Sequence, residues 1–119
     1  MKRFLAVMYG GSPTGDAAKR WGSLTKELQE KWQKEGGAAW MAWAQKNAAH
    51  IKDMGSPLGR TKNVDKKGVS DTRNELTAWT VVEAPDHQTA AEMFKEHPHF
   101  MIFPGDRIEI MECLPIPTF

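Results

Sequence analysis

Apolar residues along this chain fall into two kinds of run, and the change from one to the other predicts its elements. Phe4 to Tyr9 is apolar at nearly every position, as in a strand covered on both faces. Gly10, Gly11, Pro13 and Gly15 then mark a loop. Leu24, Leu28 and Trp32 recur every four residues among Lys, Glu and Gln, which predicts an amphipathic helix ended by Gly36 and Gly37. Trp40, Ala44, Ala48, Ile51 and Met54 trace one face of a second helix, with Trp43 beside that stripe and Gly55 and Pro57 as its stop.

The second half reads more as strand. Leu58 to Val64 is compatible with a short polar strand, and Lys66, Lys67 and Gly68 supply a reversal. Leu76 to Ala84 is rich in β-branched and aromatic residues and is bounded by Pro85. Asp86 offers an N-cap to a helix that turns Ala90, Ala91 and Phe94 inward and must finish near His97, because Pro98 disfavours helix at the residue before it. Phe103 to Asp106 has Pro then Gly at the centre of a type II turn, and Arg107 to Leu114 forms a last strand closed by Pro115 and Pro117.

This order predicts one α+β domain over residues 1–119, an antiparallel sheet with helices on one face and an inserted N-terminal helix. Both sheet faces are apolar. Phe4, Ala6 and Met8 oppose Leu5, Val7 and Tyr9, while Leu76, Ala78, Val82 and Ala84 oppose Trp79 and Val81. Helices cover only one face, so the other needs a second cover; a homodimer through the sheet face is the simplest, and a monomer with a strongly curled sheet is the alternative.

Composition narrows the classes. Sixteen basic residues against 15 acids give a net charge of +1, without the basic excess that nucleic-acid binding demands. The basic stretch from Arg60 to Lys67 sits among turn formers and reads as a solvated loop. The single cysteine, Cys113, excludes an internal disulfide and reads as a small buried hydrophobe in the last strand. The apolar run at the N-terminus is too short for a signal peptide, and no segment approaches the ~20 apolar residues of a membrane span. A cytoplasmic protein is expected.

Three segments carry a family resemblance: MKRFLAVMYGG, AAWMAWAQKNAAHIKDMGSPLG and, above all, WTVVEAPDHQTAAEMFKEHPHFMIFPGDRIEIMECLPIP. In them the chain resembles the YCII-related family, which includes the DGPF-domain proteins. The resemblance implies a ferredoxin-like βαββαβ core that pairs as a dimeric α+β barrel. Some members carry an early helix histidine and a loop aspartate, proposed as a catalytic pair. Here AAWMAW holds no histidine, His50 comes late, and DTRNEL at Asp71 to Leu76 stands in place of the DGPF segment.

Candidate chemistry therefore comes from the residues themselves. His97 and His99, two apart in an extended segment, could share a face with Asp106 nearby and move a proton, because histidine titrates near neutral pH; the other reading is that His97 caps the helix end and His99 fills a loop contact. Two histidines are too few to predict a metal site, and no cofactor is indicated. Tyr9, Trp40, Trp43, Trp79 and Phe100 could line an apolar pocket between helices and sheet, with His50 facing it or at its rim; simple core packing is the other reading of these aromatics. Two functions stand. One is a small-molecule-binding protein, with or without cofactor-free catalysis at a His/Asp cleft. The other is a noncatalytic interaction or regulatory module, to which the family lends a link with alternative sigma factors.

Overall fold

The computed structural model describes residues 1–10, 16–101 and 105–118, without the side chains at 16–18, 100 and 101. Strand β1 (Lys2–Gly10) is followed by helices α1 (Asp16–Gly22) and α2 (Lys26–Lys46). Strands β2 (Ile51–Pro57), β3 (Thr61–Asp65), β4 (Gly68–Thr72) and β5 (Leu76–Ala84) come next. Short helices α3 (His87–Glu92) and α4 (Pro98–Met101) lead to β6 (Gly105–Glu112). Four strands form an antiparallel sheet in the order β2-β5-β1-β6, and β3 pairs with β4 alone. The chain is thus an α+β protein with antiparallel sheets and few helices.

Strand alternation sorts the core as the residue pattern requires. Phe4, Ala6 and Met8 in β1 pair with Val82, Thr80 and Ala78 in β5. All six are buried under the helices, with Phe4, Ala6, Met8 and Val82 fully inaccessible. Trp43 and Ala44 of α2, Ala90 of α3 and Phe94 complete this layer. Each fully buried large side chain contributes about 1.5–3 kcal/mol relative to exposure. On the opposite face Leu5, Val7, Tyr9, Trp79 and Val81 are only half-buried.

The helical stretch differs from the sequence expectation. Gly36 and Gly37 do not end a helix: α2 runs through them for 21 residues, so the expected inserted helix and its successor are one element. Thr25 caps its start, accepting from the Leu28 amide at 3.2 Å. An interior glycine costs about 1 kcal/mol relative to alanine, which the packing of Trp40, Trp43 and Ala44 offsets. The helix then stops at Asn47, and Ile51 and Met54, expected on its face, lie on edge strand β2.

Elsewhere the local signals hold. Asp86 caps α3, accepting from the Thr89 amide at 2.7 Å. The reversal at Lys66 to Gly68 closes the β3–β4 hairpin, where Gly68 has φ +126°. The basic stretch is therefore strand and turn rather than loop, though exposed almost throughout. Cys113 is exposed beyond the end of β6, not buried within it. The loop expected over residues 11–15 and the first half of the turn at 103–106 lie outside the described residues.

Candidate functional site

At one end of the sheet, β1 and β2 finish while β5 and β6 begin, and the middle of α2 faces this end. A cavity of about 630 Å3 opens there. It is lined by Gly37, Trp40 and Met41 of α2, by Met54 to Pro57 of β2, by Thr77 to Trp79 of β5, and by His99 and Gly105. Three of its walls are glycines.

Two of those glycines are required by their surroundings. Gly55 has φ +69°, and a Cβ there would meet the Trp79 carbonyl oxygen. It sits where the β2–β5 register shifts between Asp53 and Ser56, and its amide donates to Asp53 Oδ1 at 2.9 Å. A Cβ at Gly105 would run into the His99 ring, so the imidazole occupies the space a side chain would take. Gly37 is different, since a Cβ there would meet nothing within 4 Å.

His99 is fixed by the backbone. Its Nε2 lies 2.8 Å from the Tyr9 carbonyl, to which the ring donates. Burial pushes its pKa down, and this outweighs the Tyr9 and Arg107 backbone oxygens and the Asp106 charge, which favour the protonated form. The ring is therefore neutral near pH 7.

His97 lies apart from the cavity. It is wholly inaccessible, with ring centroids 4.3 Å from Trp40, 4.6 Å from Trp43 and 5.8 Å from Phe94. Its Nδ1 accepts the His99 amide proton at 3.0 Å, which puts the ring proton on Nε2. That Nε2 is buried without a hydrogen-bond partner and has aromatic rings around it. Burial, with a lesser contribution from His99, holds its pKa at about 3. The two imidazoles thus communicate through a backbone amide and do not share a cleft.

The remaining candidates separate as well. Asp106 is half-buried on β6, where its charge acts on His99. Trp40 and Trp79 line the cavity. Trp43 lies off this cavity, its indole donating to the Met93 carbonyl at 2.9 Å, and borders a second groove instead. The Tyr9 side chain lies on the open sheet face, with the Arg107 guanidinium 4.0 Å over its ring. A hydrogen bond to Glu109 raises its phenol pKa and lowers that of the carboxylate. His50 sits in the turn before β2, its carbonyl accepting from the Glu83 amide at 2.7 Å, and lines neither cavity. The Phe100 side chain lies outside the described residues.

Sequence reasoning missed Gly37, Met41, Met54, Gly55, Ser56 and Gly105 as lining residues. Their signal was present as punctuation, since each glycine had a ready reading as a cap or turn. A second groove of about 670 Å3 runs between α2 and the α3–α4 segment, and it is charged, with Lys46, Glu92, Lys95 and Glu96. Among the described residues no three of His, Cys, Asp or Glu form a metal-holding group. None of the described helices is long and apolar enough to cross a membrane.

The arrangement is that of an α+β protein with an apolar cleft at one end of its helix–sheet layer. No protein-family model and no curated protein matches the chain. Among solved structures it is similar to 5-chloro-2-hydroxyhydroquinone dehydrochlorinase from Burkholderia phenoliruptrix AC1100, determined in complex with 2,5-dihydroxybenzoquinone. That likeness has a TM-score of 0.52 at 16% identity and covers 92% of this chain and 90% of the other. It extends over nearly the whole length of both proteins, and what they share is the fold.

Proposed function

We propose that this protein binds a small planar molecule in the cleft between α2 and the sheet end. The carrying observation is the glycine-walled cavity with two tryptophans, two methionines and the His99 ring on its surface. Such a lining gives broad dispersion contact and little polar competition, which suits a flat ring. The structural neighbour's quinone ligand supports the same size and shape class.

Within this reading His99, tuned by Asp106, is the candidate catalytic group. Its neutral ring is held against the Tyr9 carbonyl, so it would orient a substrate before exchanging any proton. His97 is a positioning residue: its Nδ1 holds the His99 amide, which sets where the next side chain begins. Spectra of 15N-labelled protein titrated with small aromatic fragments test the reading. Binding should move the Trp40 and Trp79 indole signals together, while fragments that bind only elsewhere would refute it.

We infer a homodimer as well, with the core read as ferredoxin-like and of YCII-related type. The strand order β2-β5-β1-β6 supports this, as does the half-buried apolar strip of Leu5, Val7, Trp79 and Val81 on the open face. Ion pairs border the strip, Arg3 and Lys52 with Glu83 on one side and Arg107 with Glu109 on the other. Sedimentation should give twice the monomer mass, and Val81→Glu should give the monomer.

A further inference from the structure

Resting on the cleft reading above, we propose that the site selects an uncharged ring and discriminates against its anionic counterpart. All 16 lysine and arginine side chains are among the described residues, and none lines the cleft. No described aspartate or glutamate lines it either. Among the described residues its polar side chains are Ser56, Thr77 and His99, with the indoles of Trp40 and Trp79. Thr77 already donates its hydroxyl to the Met8 carbonyl at 3.2 Å, and His99 Nε2 is engaged by Tyr9 at 2.8 Å.

A carboxylate entering this space would lose water and gain no cation in return, whereas a neutral ring would lose little. The charged groove on the other side of α2 makes the contrast local. It holds Lys46 and Lys95 beside Glu92 and Glu96, so charged side chains border one cavity and no described charged side chain borders the other. The exclusion falls on the ligand's charge rather than its size, because the glycines leave the cleft open to a bicyclic ring.

Three probes with the same ring system test this at pH 7: 2-naphthol, 2-naphthoate and 1-naphthylmethylammonium. Binding is read from the Trp40 and Trp79 indole signals. The expected result is 2-naphthol binding about tenfold or more tighter than either ion. Met41→Lys places a cation at an exposed rim position and should narrow the naphthol-to-naphthoate ratio. Equal or tighter binding of naphthoate or of the ammonium probe overturns the charge selection and leaves the cleft standing, as does a ratio unmoved by Met41→Lys. If no probe moves those two indoles, the cleft reading itself falls and the selection with it.

Discussion

Two ends of the same helix–sheet layer hold the same kinds of side chain and use them differently. At the closed end Trp43 and His97 are packed with Phe94, and the indole is tied to the Met93 carbonyl. At the open end Trp40 and His99 stand before a cavity of about 630 Å3. The tryptophans lie one turn apart on α2, and the histidines are separated by Pro98 alone. Chemistry therefore does not distinguish the two pairs; their neighbours do. Phe94 packs against Trp43 and His97 at the closed end, whereas Gly37, Gly55 and Gly105 are among the lining of the cavity at the open end. Trp43 and His97 pack directly with Phe94, whereas Trp40 and His99, the latter itself buried, border a cavity.

The sharpest way to break this contrast is to fill the open end. Gly55→Ala puts a Cβ against the Trp79 carbonyl at a positive φ and should destabilise the fold by about 3 kcal/mol or more, read by urea unfolding. His97→Ala attacks the closed end instead. It leaves a cavity among three aromatics and strips the His99 amide of its acceptor, at a cost of about 2–4 kcal/mol.

Acid tests both buried histidines without mutation. The folded-state pKa of His97 is depressed to about 3 from an ordinary 6.5, so the unfolded chain takes up the proton first. This contribution is complete above roughly pH 6.5 and declines by about 1.4 kcal/mol per pH unit as the pH falls toward 3. His99 acts in the same direction, since its pKa is also lowered. Urea midpoints between pH 7 and pH 5 should fall accordingly, and the fall should be shallower in His97→Phe.

Smaller effects sharpen the comparison. Gly105→Ala forces the His99 ring off its seat, so affinity for a cleft ligand should drop about tenfold, with a stability loss of about 1–2 kcal/mol. Titration of 2-naphthol into folded variant protein measures it. Gly37→Ala, where a Cβ meets open space, should stabilise by about 0.5–1 kcal/mol through helix propensity alone. A destabilised Gly37→Ala would mean that the helix interior is tighter there than the geometry shows.

The parts of this architecture that were legible in the residues are those governed by local rules. Alternation assigned Phe4, Ala6 and Met8 to one face of β1 and Leu5, Val7 and Tyr9 to the other, and burial follows that division. The Asp86 cap and the reversal at Gly68 were equally local. Gly36 and Gly37 misled because helix propensity there is outweighed by packing of the next two turns. Ile51 and Met54 misled because a three-residue spacing on an edge strand with a bulge at Gly55 imitates a helical stripe.

The site was legible only in part, for a related reason. Trp40, Trp79 and His99 could be named as candidates, but no spacing distinguishes them from Trp43 and His97. A glycine that lines a void looks in sequence like one that ends a helix. Tyr9 shows the limit most clearly, since its carbonyl anchors His99 while its ring lies over on the open face under Arg107.

A crystal structure grown with 2-naphthol bears most directly on the central claim. The account predicts a ring seated at the sheet end, in contact with Trp40, Trp79 and Gly105, with His99 still bonded to the Tyr9 carbonyl. A ring bound instead in the Lys46–Glu96 groove or on the open face, with the glycine-walled cleft holding only water, would contradict it.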